Sequence, residues 1–350
     1  MPLVSKGSNT PARPPNMAPL IKHLYTADPS AHVFNGRVYI YPSHDRETDI
    51  KFNDNGDQYD MADYHVFSLD SLDPASEVTD HGTVLTLAGV PWASKQLWAP
   101  DAARNPATGK YHLFFPARDK DGVFRIGVAV GDKPEGPFKA DESYIPGTYS
   151  IDPAVLVDDD DASYLYFGGL WGGQLQCYQR GHGDADFDAS WSGPKEPSGP
   201  GAVALGPRVA KLSKDMRTLD GGVHEIAILD PETKQPIAAD DHDRRFFEAA
   251  WCHKRKGKYY FSYSTGDSHY LCWAVGDSPV GPFVYGGRML EPVLGWTTHH
   301  SVVEFPEGSD RWWLFHHDCE LSGGIDHLRS VKVKEIFYDG DRIVQVKPGA

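Results

Sequence analysis

Short apolar and aromatic segments alternate with turn sequences along most of this chain of 350 residues. The aromatic segments are typical of β-strands and occupy residues 36–41, 109–115, 163–167, 257–263 and 311–315. Each follows a short apolar segment and a hairpin-type turn, the apolar segments being residues 31–34, 102–105, 153–157, 249–253 and 301–305. Only residues 211–219 show a weak helical pattern. The pattern therefore predicts an all-β chain.

One turn sequence occurs twice. Residues 131–138 read GDKPEGPF, and residues 276–283 read GDSPVGPF. Each copy follows an aromatic strand and an apolar strand, so the repeated unit covers about 45 residues, a length and strand content typical of β-propeller blades. Five units predict a five-bladed β-propeller that forms a single domain over residues 20–350. Residues 181–244 are interpreted as an elaborated blade with surface loops, and residues 1–19 as a disordered lead.

A distinctive polar residue stands just before several of the predicted inner strands. Asp28 lies in Ala-Asp-Pro-Ser, Asp152 in Ile-Asp-Pro-Ala and Glu248 in Phe-Phe-Glu-Ala. Equivalent positions on inner strands converge on the propeller axis, so these carboxylates are predicted to meet in one cavity. Apolar neighbours raise the pKa of a carboxyl group, as a general acid at neutral pH requires. The alternative for Glu248 is the solvated face of an edge strand.

Composition narrows the class of ligand. The formal net charge of −15 argues against nucleic acid or an anionic membrane as partner, whereas a neutral sugar fits. Aromatic residues make up 12% of the chain, which suits ligand stacking or an aromatic core. The four cysteines are too widely spaced for a zinc motif or a disulfide scaffold. Neither a secretory signal nor an apolar run of membrane-spanning length is visible, so a cytoplasmic location is expected.

These motifs together resemble glycoside hydrolase family 43, whose members are five-bladed propellers acting on xylose- and arabinose-containing sugars. The matching features are Asp-Pro in the first unit, Trp-Ala-Pro-Asp in the second, Ile-Asp-Pro in the third, Phe-Phe-Glu-Ala in the fourth, and His-His-Ser before Val-Val-Glu-Phe in the fifth. They extend over residues 20–346. One departure is the hairpin Asp-Asp-Asp-Asp-Ala after Val157, where the family more often has a glycine. This changes a turn and leaves the site assignment intact.

The resemblance implies roles for the three carboxylates. Asp28 would be the general base that activates water, Glu248 the general acid, and Asp152 the group that raises the pKa of the acid and orients it. Two carboxyl groups in these roles would give an inverting glycosidase. Arg329 resembles the family's substrate-contacting arginine and could also lower the pKa of Asp28. Its alternative is a surface salt bridge.

The resemblance also implies a metal contact. A histidine at this point of the family reaches a calcium ion in the central channel, and we favour His299 over His300, although a packed histidine is the alternative for either. Trp98 and Trp171 are candidate walls for the sugar, with a purely structural role as the alternative. The acidic residues 53–63 are interpreted as a solvated loop, because they lack the glutamate and flanking helices of a calcium loop.

The sequence therefore predicts an exo-acting β-xylosidase with some α-L-arabinofuranosidase activity on short xylo- or arabino-oligosaccharides. An arabinan-degrading propeller enzyme is one alternative. The fructoside-acting invertase and levansucrase group is another, although its Trp-Met-Asn-Asp-Pro and Glu-Cys signatures are missing here. A non-catalytic sugar-binding propeller is the alternative from a different class. The preferred sugar and the oligomeric state stay open.

Overall fold

The computed structural model describes residues 18–73, 76–296 and 298–347. Its regular structure consists of β-strands and short 3₁₀ turns, and the strands form five propeller blades with an additional two-stranded ribbon. No helix in these ranges is long and apolar enough to cross a bilayer. The expected disordered lead lies outside the described residues, apart from Ala18 and Pro19.

The first three blades are antiparallel sheets. The first is formed by β1 (Tyr25–Phe34), β2 (Arg37–Asp45), β3 (Asp63–Leu69) and β4 (Thr79–Thr86). The second contains β5 (Ala93–Lys95), β6 (Asp101–Arg104), β7 (Tyr111–Asp119), β8 (Phe124–Gly131) and β9 (Lys139–Ala140), with β5 and β6 both paired to β7. The third contains β10 (Ala154–Val157), β11 (Ser163–Phe167), β12 (Arg208–Lys211) and β13 (His224–Glu225).

The fourth and fifth blades complete the ring. The fourth contains β14 (Ile228–Leu229), β15 (Glu248–Arg255), β16 (Lys258–Ser264), β17 (Leu271–Gly276) and β18 (Phe283–Leu290), with β14 parallel to β18. The fifth contains β19 (His300–Glu304), β20 (Trp312–Asp318) and β21 (Ser330–Ile336), and the ribbon follows as β22 (Tyr338–Asp339) and β23 (Arg342–Ile343). The 3₁₀ turns are Leu87–Gly89, Trp171–Gly173, Leu175–Tyr178, Asp184–Asp186, Ala189–Trp191 and Gly266–Ser268.

The all-β, five-bladed architecture expected from the repeat is confirmed. Residues 181–244 supply β12, β13 and β14 and so belong to the third and fourth blades. The helical interpretation of residues 211–219 is wrong, because Lys211 ends β12 and Leu212 bridges back to Leu219. Between them the amide of Ser213 donates to the carbonyl of Thr218, which closes a tight turn.

Aromatic and aliphatic side chains fill the spaces between adjacent blades. Tyr41 of the first blade and Phe115 of the second belong to one buried cluster. Ile40 of the first blade and Phe315 of the fifth belong to another. The chain start strengthens the contact between the first and fifth blades, because the amide of Leu20 donates to a carbonyl of β21 at 2.8 Å. Burial between blades therefore explains why each middle strand is rich in aromatic residues.

Gly127 of β8 allows a testable prediction about this packing. A Cβ atom at this buried position would lie 2.5 Å from Trp92 and 2.9 Å from Phe115. Gly127→Ala is therefore expected to lower the free energy of unfolding by about 1–3 kcal/mol, because the aromatic rings must shift. The exposed Gly222 has open space around it and no unusual φ, so Gly222→Ala is the matched control. Equal urea midpoints for the two variants would contradict this account.

Candidate active site

Seven side chains singled out in the sequence line one pocket, whose open space including the mouth is about 640 Å³. They come from all five blades and their connecting loops. The residues are Asp28, Trp98, Asp152, Trp171, Glu248, His299 and Arg329. The structure thus brings the three carboxylates together as expected. Only Asp152 precedes its strand, because Asp28 lies within β1 and Glu248 begins β15.

Irregular backbone places these carboxylates. The register of β1 shifts between Ala27 and Ser30, around Asp28, whose φ is 49°. Asp152 has a φ of 58°, and Ala249, next to Glu248, has a φ of 63° within a second register shift. The left-handed backbone conformation is unfavourable for residues other than glycine, and each such residue costs of order 1–3 kcal/mol of folding free energy. Bulges of this kind re-aim a side chain at a sheet edge, here toward the pocket.

Asp28 is a buried carboxylate surrounded by donors. The Ser43 hydroxyl donates to Oδ2 at 2.7 Å, and Arg329 Nη1 donates to Oδ1 at 2.9 Å. Burial by itself would raise the pKa of Asp28, but the charge of Arg329, with further contributions from His317, His299 and Ser43, lowers this pKa to about 2. Asp28 is therefore ionised at neutral pH, as a general base must be.

Arg329 is held by a second carboxylate. Asp45 accepts three hydrogen bonds of 2.8 Å from Arg329, from the backbone amide, Nε and Nη2. The guanidinium also lies 4.9 Å from the centre of the Tyr59 ring. Because only 3% of Arg329 is exposed, the alternative of a surface salt bridge is wrong. Arg329 is instead a buried link between two acidic side chains.

Asp45 was not identified from the sequence, although a signal exists. The β1–β2 register pairs Ala27 with Ser43 and Tyr25 with Asp45. Residues 43 and 45 lie on one face of β2 because side chains alternate along a strand. Ser43 and Asp45 are polar residues two positions apart on β2, the strand that pairs with the strand of Asp28. This spacing is the signal that could have identified the side chains supporting Asp28 and Arg329.

Asp152 and Glu248 form a different kind of acidic pair. The amide of Ala249 donates to Asp152 Oδ2 at 2.8 Å. Burial, and then the charges of Glu248 and Asp28, raise the pKa of Asp152. Burial and the charge of Asp28 raise the pKa of Glu248 to about 8, against the opposing effect of Arg329. Two such carboxyl groups retain one proton between them at neutral pH. We place it on Glu248, because the amide bond favours the ionised form of Asp152.

Aromatic side chains form the walls of the pocket. Trp171 stacks on Trp296 with ring centroids 5.6 Å apart and meets the edge of Phe247. Trp98 is only 9% exposed, and its Nε1 donates to the carbonyl of Tyr59 at 2.7 Å, so it both lines and supports the wall. Trp296 and Tyr59 lie in loops without a repeated motif, which explains why sequence reasoning missed them.

The acidic loop of residues 53–63 is part of this wall, and its interpretation as a purely solvated loop is wrong. Gly56, Gln58, Tyr59 and Met61 are buried and line the pocket. A Cβ atom on Gly56 would lie 2.6 Å from the Trp98 ring. The loop therefore packs directly onto the tryptophan, and its exposed residue Asp54 also lines the pocket.

His299 meets the acidic residues at the base of the pocket. Its Nδ1 atom lies 3.7 Å from Asp28 Oδ1 and 3.9 Å from Asp152 Oδ2. Burial lowers the pKa of His299 to about 4, although the charge of Asp28 opposes this effect. A neutral imidazole beside ionised carboxylates is a chemically suitable contact for a weakly held calcium ion. His300 instead bonds Ser262 at 2.6 Å and does not line the pocket.

The pocket holds an ionised carboxylate and a protonated carboxyl group, which is the pair of groups that glycoside hydrolases use. Together with the five-bladed propeller, this pair indicates the glycoside hydrolase class. Residues 18–183 match the family model described as Glycosyl hydrolases family 43. The chain is also 76% identical over 333 residues to Xylosidase/arabinosidase 43A of Humicola insolens, an alignment that covers 95% of this chain and all of the relative. The chain belongs to glycoside hydrolase family 43.

Other similar proteins agree in fold and family. A Xylosidase/arabinosidase of Bacteroides ovatus is 51% identical, with 94% of this chain and 97% of that protein covered. A β-xylosidase/α-arabinofuranosidase from a compost microbial metagenome, solved with xylotriose in a calcium-free form, superposes with a TM-score of 0.90 at 54% identity and covers 95% and 98% of the two chains. A family member from Xanthomonas citri complexed with xylose gives 0.85 at 53% identity, covering 95% and 94%.

The ion pair between Arg329 and Asp28 predicts a change in pH dependence. With Asp28 as the base and Glu248 as the acid, as the sequence predicts, activity on a chromogenic glycoside is expected to fall above about pH 8 and to persist well into the acid range. Arg329→Met removes the charge that lowers both pKa values. In the pH profile of kcat/KM for this variant, the apparent pKa of the acid limb should therefore rise by about 1–3 pH units, and the apparent pKa of the basic limb should rise as well.

Two variants control this measurement. Arg329→Lys keeps a positive charge and should retain an acid limb closer to that of the wild type. Arg311→Met removes an exposed arginine that pairs with Glu335 and should leave both limbs in place. Circular dichroism checks that each variant is folded at each pH. An unchanged acid limb in folded Arg329→Met would contradict the proposed electrostatic role.

Proposed function

We propose that this protein is an inverting, exo-acting β-xylosidase with α-L-arabinofuranosidase activity on short oligosaccharides. The observation that carries the proposal is that one pocket holds both Asp28, which is paired with Arg329, and Glu248, whose pKa burial raises. A non-catalytic sugar-binding propeller has no need for a buried acid that retains its proton at neutral pH. The names of the similar proteins supply the sugar class, since they are described as xylosidases and arabinosidases.

The two carboxyl groups divide the chemistry of hydrolysis. Glu248 gives its proton to the glycosidic oxygen as the bond to the anomeric carbon breaks. Asp28 takes a proton from the water that attacks the opposite face of that carbon, so that the configuration inverts. After product release, Glu248 regains a proton from solvent and Asp28 loses one. Asp152 keeps Glu248 protonated between turnovers, because a second negative charge beside it is unfavourable.

The pocket walls suit a neutral pentose. Trp171 and Trp296 offer apolar ring surface near the mouth, and Arg329 and Asp28 offer polar groups at the base. Apolar walls with a few convergent polar groups are usual for small-ligand sites. Similar structures complexed with xylotriose and xylose support a pentose oligosaccharide as the substrate. A xylopyranoside and an arabinofuranoside can present similar hydroxyl groups, which supports the dual activity.

The role of Glu248 is tested by comparing leaving groups. Glu248→Gln cannot donate a proton, so the kcat for xylobiose should fall by about 10²–10⁴. Nitrophenyl β-xyloside should be affected much less, because nitrophenolate departs without protonation. Glu307→Gln, at an exposed turn, is the control and should cleave both substrates normally. Equal losses on the two substrates would contradict the assignment of Glu248 as the acid.

The anomer released first tests the whole mechanism. Proton NMR of wild-type enzyme acting on xylobiose should show α-xylose before mutarotation, as inversion of a β-linkage requires. Initial release of β-xylose would overturn the role of Asp28 as a base. Parallel assays with nitrophenyl arabinofuranoside and linear arabinan test the sugar class. Cleavage of arabinan alone would overturn the β-xylosidase proposal.

We also propose that calcium binds in the central channel with His299 as a contact. The neutral imidazole and the two nearby carboxylates support this, and water would complete the shell of a cation that prefers oxygen ligands. The ion would add positive charge beside the carboxylates. Within the chain itself, His299 and Arg329 already orient Asp28.

Calcium binding is expected to raise the melting temperature of chelator-treated protein, because a ligand that binds only the folded state stabilises it. At a calcium concentration of 100 Kd the stabilisation would be about 2.7 kcal/mol. His299→Ala should lose this increment, whereas His300→Ala should keep it even if its melting temperature is lower overall. Differential scanning calorimetry with and without calcium makes the comparison. The same increment in wild type and His299→Ala would contradict the contact.

A further inference from the structure

A second group of potential ligands lies outside the sugar pocket, on the first blade. His44, Asp63 and His65 each offer a ligand atom, and these three atoms lie within 4.8 Å of one another. His44 Nδ1 and Asp63 Oδ1 are 2.5 Å apart. The two imidazole rings meet edge to face with centroids 5.1 Å apart. None of the three lines the pocket that holds the carboxylates.

The sheet register explains why these side chains converge. Strands β2 and β3 pair Val38 with Leu69 and Ile40 with Phe67. Continuing this antiparallel register places His44 opposite Asp63. His65 lies two residues further along β3 and therefore on the same face. All three residues lie within β2 and β3, although the pairing of β3 with β4 is irregular on both sides of His65.

Neighbouring polar groups orient the cluster. His65 Nδ1 lies 3.2 Å from Asp80 Oδ1, and His23 Nε2 lies 2.8 Å from Asp80 Oδ2. We assign the hydrogen of His65 to Nδ1, which leaves Nε2 as the acceptor, 3.1 Å from the Thr83 hydroxyl. A carboxylate that accepts from the far nitrogen of a histidine is the usual support for a metal-binding imidazole. Thr83 can turn its hydroxyl away at little cost.

The cluster is also accessible and negatively charged. The side chains of His44, Asp63 and His65 are 18%, 26% and 15% exposed, so an ion can enter while the ligands stay ordered. Two carboxylates, Asp63 and Asp80, lie within hydrogen-bond distance of the two imidazoles and favour a bound cation. Arg46, which pairs with Asp60, opposes it.

We propose that His44, Asp63 and His65 form a binding site for a transition-metal dication of the zinc type. Two imidazoles and one carboxylate suit Zn²⁺, Ni²⁺ or Cu²⁺, whereas Ca²⁺ and Mg²⁺ prefer oxygen ligands. Three protein ligands leave a fourth position for water. On binding, the metal replaces the hydrogen between His44 and Asp63, and the imidazole changes to the tautomer protonated at Nε2. This site is independent of the proposed glycosidase activity.

Isothermal titration of tag-free, chelator-treated full chain with zinc chloride tests the proposal. We expect one zinc ion per chain at pH 7.5, with binding weakened at least about tenfold in His65→Ala and about 10–100-fold in Asp80→Asn. His224→Ala removes an exposed histidine on another blade and should bind like the wild type. Cobalt(II) should give the visible absorption bands of a low-coordinate site in the wild type and in His224→Ala, but not in His65→Ala.

Two further measurements keep the result specific. Circular dichroism confirms that His65→Ala is folded, and Asp63→Asn serves as the second ligand variant if it is not. Saturating xylose or excess calcium should leave zinc binding unchanged. The proposal is overturned if the wild type binds no zinc, if folded His65→Ala and Asp63→Asn bind it like the wild type, or if xylose displaces it.

Discussion

The buried guanidinium of Arg329 is the interaction on which the rest of the site depends. A charge removed from water is costly unless it is paired and hydrogen-bonded. The guanidinium meets this requirement by donating twice to Asp45 and once to Asp28. It stabilises the ionised form of Asp28 through a direct hydrogen bond of 2.9 Å. Burial and neighbouring negative charge raise the pKa values of Asp152 and Glu248, so this pair retains a proton. Asp28 and Glu248 thus differ in protonation within one pocket.

The same residue connects the chemistry to the closure of the ring. Arg329 immediately precedes β21, and its carbonyl accepts from the amide of Thr26 in β1 at 2.9 Å. The first and fifth blades therefore meet where Asp28 is held. Residues far apart in sequence become neighbours only when the propeller closes, so the site and the complete fold form together. Bulges at Asp28 and Glu248 add local strain that the packed blades can support.

Most of the fold was predictable because the sequence repeats it. The turns at 131–138 and 276–283 and the five aromatic segments mark the blades, and the polar residue before each inner strand marks the pocket. By contrast, Tyr59 and Trp296 belong to loops whose position depends on packing between blades, with no periodic signal. The weak helical pattern at 211–219 failed for a related reason, because pairing of Leu212 with Leu219 outweighed local preference. Roles in catalysis came from resemblance, since spacing alone does not distinguish acid from base.

Strand β2 shows how one element can serve two faces without conflict. Ser43 and Asp45 point to the pocket, where they bond Asp28 and Arg329, and His44 between them points to the opposite face, beside Asp63. A shift of register by one residue would exchange these faces and leave a histidine among the buried acids. Burial of the pocket groups therefore fixes which face of β2 carries His44. Asp63 of β3 meets His44 on that face, so the orientation of this histidine depends on the electrostatics of the pocket behind it.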